Sequence, residues 1–244
     1  MFSGNGIIDG GVLLVHGSLA RTFKREGCGP KEVLDEILTQ LGPKGTLLLP
    51  LFNFDFTSGT PFNFAETPSQ MGALAEAGRT WPGAVRTCHP IYGFAAIGAQ
   101  AEKFCGVDNR SGYGEDSPFA MLREMDGQIA VIDLPDQNAM TFYHHVEEML
   151  AVPYRYHKNF SAPYTNQNGK TSTRTYSIFV RDIEEGVVTS VNRMGERLWS
   201  KGLYTGDRPG VGHGMRTIRA RPLYDEVASV IESGLAKDFL YEVK

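Results

Sequence analysis

Three histidines stand in contexts that suit chemistry. His16 follows a short aliphatic run, Val12-Leu13-Leu14-Val15; His89 lies in Arg86-Thr87-Cys88-His89-Pro90; His144 lies in Thr141-Phe142-Tyr143-His144-His145-Val146-Glu147. On a helix His144 and Glu147 are i and i+3 and share a face. A carboxylate beside an imidazole fixes its tautomer and raises its basicity, which is what a general base requires. The same spacing also describes an idle surface pair, and the residues alone leave both readings open. No H-E-x-x-H or comparable spacing occurs, so no metal site is expected. Cys88 adjoins His89, but neighbouring residues on a strand point to opposite faces, a poor geometry for a thiol nucleophile and its base. In Gly112-Tyr113-Gly114-Glu115-Asp116-Ser117-Pro118, Asp116 or Ser117 is expected to cap a helix opening at Pro118. Gly210-Val211-Gly212-His213-Gly214 has the look of an anion-binding loop, without the Lys-Ser/Thr of a phosphate-binding motif.

The elements that must carry these residues read as α/β. Residues 12–15 suit a buried strand that runs into His16-Gly17-Ser18-Leu19, and loops past the carboxyl end of such strands are where α/β proteins hold ligands. Residues 31–41 place Val33, Leu34, Ile37, Leu38 and Leu41 at helical spacing, with Gly42 as C-cap, and residues 46–50 form a second buried strand. Strand, helix, strand over about 40 residues is a βαβ unit. Residues 51–70 read as a loop bearing Phe52, Phe54, Phe56, Phe62 and Phe64, able to wall a pocket or seal a core edge. Helices are predicted near 71–81, 141–150 and 223–235, an irregular strand at 91–96 and a buried strand at 129–134. Alternation over 171–180 behind Asn168-Gly169 predicts a hairpin. The expected fold class is α/β, one domain with a central mixed sheet flanked by helices. Residues 1–155 hold the motifs, and 156–244 complete the same domain.

Composition narrows the partners. The 244 residues carry 24 Lys plus Arg against 28 Asp plus Glu, a net charge of -4 that argues against a general nucleic-acid binder. The charge is uneven: residues 1–150 hold 10 basic and 18 acidic side chains, residues 151–244 hold 14 and 10. A basic second part suits an anionic ligand or simply a solvated arginine face. Three cysteines (Cys28, Cys88, Cys105) with no C-x-x-C spacing predict reduced thiols and neither a disulfide framework nor structural zinc. The N-terminal segment has no basic n-region, and the apolar runs fall far short of the ~20 residues of a membrane span. A cytoplasmic protein with no membrane partner is expected.

Taken in order, the motifs resemble the antibiotic N-acetyltransferase family typified by aminoglycoside 3-N-acetyltransferases, the non-GNAT group that uses acetyl-CoA. Its H-S-S-L turn is matched by His16-Gly17-Ser18-Leu19, with Gly for the first Ser. G-T-L-x-x-P falls on Gly45 to Pro50, M-G-x-L-x-E on Met71 to Glu76, and R-S-x-H-P on Arg86 to Pro90 with Thr87 for Ser. A-x-x-G-x-x-A falls on Ala95 to Ala101, G-x-x-S-P on Gly114 to Pro118, and T-x-x-H-x-x-E on Thr141, His144 and Glu147. The C-terminal third matches only loosely, around 210–214.

The resemblance implies direct acetyl transfer from the acetyl-CoA thioester to the amine of an amino sugar. It places the general base on His144, its supporting glutamate on Glu147 and a catalytic acid group on Asp116. Donors to the developing oxyanion would come from Thr141 or the 17–19 turn. CoA contacts are implied for His16, Gly17, Ser18, Leu19, Arg86, Thr87, His89 and Ser117. Acceptor contacts fall on Tyr113, Arg155, His157 and Lys158, the last three suiting the diphosphate of a nucleotide-linked amino sugar. The acidic first part equally suits a cationic aminoglycoside. A catalytically silent CoA-binding relative is the alternative from another class. The residues leave oligomeric state open, a homodimer being one candidate.

Overall fold

A computed structural model describes residues 4–244; the first three residues of the N-terminal segment lie outside that range. The first aliphatic run becomes β1 (Val12–Gly17), which turns at Ser18 into α1 (Leu19–Glu26). Next comes α2 (Pro30–Leu41), opened by a proline in its first turn and by Glu32, which accepts the Gly29 N–H at 3.0 Å. Gly42 closes it at φ 65°, donating its N–H to the Leu38 carbonyl, a conformation a side chain would resist. There follow β2 (Thr46–Pro50), β3 (Phe62–Asn63), α3 (Ala73–Arg79), β4 (Val85–Arg86) and β5 (Phe94–Gly98). Then come α4 (Pro118–Glu124), β6 (Gln128–Ile132) and α5 (Phe142–Met149). The predicted hairpin is β7 (Arg155–Thr165) and β8 (Thr171–Arg181), paired through eleven registers from Arg155↔Arg181 to Thr165↔Thr171. The chain ends with β9 (Val187–Thr189), α6 (Asn192–Ser200), β10 (Thr205–Gly206), β11 (Met215–Arg219), α7 (Ala220–Glu232), α8 (Ala236–Phe239) and β12 (Tyr241–Val243).

The main sheet runs β10-β11-β6-β1-β2-β5-β4 and is mixed as expected: β1 is parallel to β2 and β6, while β5 and β11 join antiparallel. Alternation sends side chains to two cores. Leu13, Val15, Leu47, Leu49, Ala130 and Ile132 pack with Val33, Leu34, Ile37 and Leu41 of α2 and Leu74 of α3. Val12, Leu14, Leu48, Ile129 and Val131 face α4, α5 and α7 through Phe119, Leu122, Phe142, Val146, Leu223 and Val227. Burial on both faces is why these strands read as unbroken aliphatic runs. The turn after β1 and the loops after β2 and β6 meet at one end of the sheet, with β1 between strands reached from opposite sides. Such a switch point opens a crevice.

Several elements escaped the sequence reading. Helices α1 and α6 are short and polar-faced, and β11 (MRTIR) lacks an aliphatic run. The strand read at 91–96 starts at Phe94 instead. Of the loop phenylalanines, Phe52, Phe56 and Phe62 seal the core, whereas Phe54 stays exposed at a cavity. Among the described residues no helix is long and apolar enough to cross a membrane.

Candidate functional site

On α5 the i, i+3 pair forms. His144 Nδ1 lies 2.7 Å from Glu147 Oε2, and Glu147 is 1% exposed where His144 keeps 19%. The same carboxylate oxygen lies 2.8 Å from Arg155 Nε. Burial pushes the Glu147 carboxyl upward, but the Arg155 guanidinium and the His144 hydrogen bond outweigh it, and the carboxyl ends below its ordinary range. An ionised carboxylate only accepts, so Nδ1 carries the proton and donates it. Nε2, on the opposite edge of the ring, keeps its lone pair where His144 lines a cavity. Burial, then the Arg155 charge, hold His144 below its ordinary value of 6.5 against the pull of Glu147. It is neutral near pH 7. The Tyr113 ring supports it, 5.3 Å between centroids.

Two cavities meet here. The first, about 570 Å³, is lined by Gly17, Ser18, Leu19, Phe23, Pro30, Met71, Gly72, Ala73 and Leu134. The amino ends of α1 and α3 open on it, and helix amino ends present free N–H groups to an anion. The second, about 200 Å³, is lined by Phe52, Phe54, Met71, Tyr92, Asn138, Thr141, His144 and Thr189. Met71 belongs to both walls, so the two cavities are neighbours. A third cavity of about 610 Å³ takes Glu148, one helical turn after His144, from α5, with Glu115 and Asp116 beside Arg110 and His157. Burial raises the Glu148 carboxyl even though Ser111 donates its hydroxyl to it at 2.8 Å.

The residues named from sequence do not all converge. Gly17, Ser18 and Leu19 line the first cavity, and Thr141 joins His144 in the second. Asp116 is exposed and lines the third cavity, not that of His144. Ser117, not Asp116, is the helix cap: its buried hydroxyl accepts the Ala120 N–H. His16 is buried with its ring 6.0 Å from Phe52, and burial holds it near a pKa of about 4. Arg86, Thr87 and His89 line neither of the two cavities at His144, and each bonds to the backbone. Arg86 donates to the Phe64 and Thr67 carbonyls, Thr87 Oγ1 accepts the Phe94 N–H, and His89 Nδ1 accepts from Ile91 and Tyr92.

Tyr113 is buried beneath His144 and cannot greet an acceptor. Arg155 is turned inward to Glu147, so the diphosphate cradle of Arg155, His157 and Lys158 does not assemble. His157 lines the third cavity, while the exposed Lys158 lies over Phe160, the strand sending neighbours to opposite faces. The glycine-rich loop is also spoken for. Gly210 N–H donates to Glu196, Gly214 N–H to Asp133 Oδ1, and the Gly212 carbonyl accepts from Arg21, so its amides already hold carboxylates. Cys88 is buried and its thiol pushed up by that burial, against a thiolate role. No group of three or more His, Cys, Asp or Glu able to hold a metal occurs among the described residues.

Sequence reasoning missed Met71 as the shared wall and Asp136 beneath the second cavity. Asp136 Oδ1 accepts from Arg216 Nη2 at 2.5 Å, and Oδ2 accepts the hydroxyls of Tyr143 and Tyr204 at 2.8 Å each. The one available signal was an Asp immediately after a Leu-Pro turn behind a buried strand. Its partner on β11, 80 positions away, has none.

Comparison with known proteins follows the same outline. A family model described as aminoglycoside 3-N-acetyltransferase matches residues 14–232. The chain is 33% identical to aminoglycoside N(3)-acetyltransferase IV of Salmonella sp over 152 residues, 61% of this chain and 56% of that protein. It thus spans little more than half the length of that relative. It is 28% identical to aminoglycoside N(3)-acetyltransferase IX of Micromonospora chalcea over 206 residues, 74% of this chain and 70% of the other. The crystal structure of aminoglycoside acetyltransferase AAC(3)-Xa shares the fold, with a TM-score of 0.81 at 24% identity over 95% of this chain and 90% of that one.

Proposed function

Because this chain belongs to the aminoglycoside 3-N-acetyltransferase family, we propose that it transfers an acetyl group from acetyl-CoA to an amine of a cationic amino sugar, with His144 as general base. The observation that carries this reading is the Nδ1 contact of His144 to a buried, ionised Glu147, which leaves Nε2 free at a cavity sharing Met71 with the larger one. The larger cavity fits coenzyme A in its chemistry. Helix amino ends answer phosphate, and Leu19, Phe23, Pro30, Met71 and Leu134 offer apolar contact to a pantetheine arm. Bound acetyl-CoA supplies the acetyl group as a thioester.

The chain's own residues handle the proton. An amine of pKa ~8–10 is mostly protonated near pH 7 and has no lone pair for attack. Neutral His144 takes that proton at Nε2, while Glu147 stabilises the imidazolium through Nδ1. The freed amine attacks the thioester carbonyl, the N–C bond forms as the C–S bond breaks, and the nitrogen's surplus proton goes to the departing sulfur. Thr141, on the same wall, is a hydroxyl contact for either reactant. Phe52, Phe54 and Tyr92 exclude water from the opposite side.

For the acceptor, the third cavity, with Glu115, Asp116 and Glu148 next to the catalytic helix, supports a polycation of aminoglycoside type. Asp116 then serves the acceptor and not the proton transfer. The inward Arg155 speaks against a nucleotide-linked sugar. A thiol-release assay with acetyl-CoA, run across aminoglycosides and nucleotide-linked amino sugars, is the test. Turnover with an aminoglycoside is expected; turnover only with the nucleotide-linked sugars overturns the acceptor. Absence of turnover with every amine supports the silent CoA-binding reading instead.

A further inference from the structure

We propose that Arg155 completes the base: Arg155, Glu147 and His144 act as one unit in which the guanidinium fixes the carboxylate's charge and, through it, the imidazole's tautomer. This rests on His144 being the general base. Glu147 is buried, and a buried carboxyl without a partner takes up a proton and becomes neutral. A neutral Glu147 keeps its O–H and donates a hydrogen bond to Nδ1. The imidazole proton then moves to Nε2, and no lone pair faces the cavity.

Arg155 prevents this by position. Its Nε sits 2.8 Å from Oε2, the oxygen that also meets His144 Nδ1 at 2.7 Å. The rest of the guanidinium is tied to β8 and β9, Nη1 donating to the Phe179 carbonyl at 3.1 Å and Nη2 to Thr189 Oγ1 at 3.3 Å. Residues of β7, β8 and β9 thereby hold one charge rigidly against α5. Lysine offers no such planar fork.

The other groups around the pair do not replace it. Arg181, at the end of β8, adds a smaller repulsion to a protonated His144. Tyr154 and Tyr113 are pushed up by burial and stay neutral, and Tyr113 packs on the imidazole. Asp136, across the cavity, is neutralised by Arg216. Arg155 and Glu147 therefore act on His144 with opposite sign. Removing the guanidinium lets the Glu147–His144 pair take its proton at higher pH, and removing the carboxylate does the reverse.

The test follows His144 by nitrogen-15 NMR in the ligand-free protein, which reads both tautomer and titration, beside kcat/KM against pH. In Arg155→Met the midpoint is expected to rise by half a pH unit or more, with more Nε2–H tautomer and at least tenfold lower kcat. In Glu147→Gln the midpoint is expected to fall, and the double variant to return towards the wild-type midpoint. Arg155→Gln, which keeps a donor for Phe179 and Thr189 but no charge, gives the same reading where Met at this position fails to fold. Loss of activity in both uncharged variants with midpoint and tautomer unchanged overturns the proposal. If Glu147→Gln shifts His144 and neither Arg155 variant does, the proposal falls while the base reading stands. Full activity in His144→Ala instead removes the base reading, whatever Arg155 does to the titration.

Discussion

At the scale of single residues, His144 differs from the other buried histidines in what its two nitrogens meet. His145 donates Nδ1–H to the Tyr113 carbonyl at 2.7 Å, and His89 Nδ1 accepts two backbone N–H groups. Each of these is committed to the backbone, whereas His144 sets one nitrogen against a carboxylate and lines a cavity. Replacing His144 by Ala is expected to lower kcat by about 10²–10⁴, the usual worth of a positioned base, with little change in KM for acetyl-CoA. Single-turnover thiol release checks it. His144 is held below its ordinary 6.5, so the neutral form persists into mildly acid solution. The acid limb of the wild-type kcat/KM profile is therefore expected to fall away below pH 6.5, because protonation removes the base; a limb centred above that value contradicts the assignment.

At the scale of elements, Asp136 ties three of them. It lies in the turn after β6, accepts from Tyr143 of α5, and binds Arg216 of β11, whose side chain is wholly buried. Gly195 of α6 sits so close that a Cβ there would meet Asp136 Oδ2 at 2.4 Å. Asp136→Asn leaves a buried guanidinium with no counter-charge, a loss of about 3–5 kcal/mol. Thermal unfolding should register it as a fall in Tm of roughly 6–20 °C for a chain of this size. An unchanged Tm would mean that the pair carries little stability. The βαβ start was legible because buried parallel strands need continuous aliphatic runs and α2 needs its apolar stripe. Strand β11 was not, since its second residue, Arg216, is polar in type and is buried against Asp136 and the Leu134 carbonyl.

At the scale of the whole molecule, stability should depend on acid through buried imidazoles. Burial holds His16, His89 and His145 near pKa values of about 4, against 6.5 when unfolded. Between those limits the unfolded chain binds protons that the folded chain refuses, so stability rises with pH there and is lost as pH falls from 6.5 towards 4. With three such groups the slope approaches about 4 kcal/mol per pH unit. Urea midpoints measured at pH 5, 6 and 7 test this; a flat series would show that these rings are solvated. By itself the sequence determined the α/β class, the βαβ entry, the hairpin and the pairing of His144 with Glu147. All of these depend on spacings of a few residues, which helical and strand periods convert directly into shared faces. Only the tertiary structure decided that Arg155 meets Glu147, that Arg86, Thr87 and His89 bond the backbone, and that two amides of the glycine-rich loop hold carboxylates. Those outcomes depend on which distant chain segment reaches a charge or an amide first, and no local period records that.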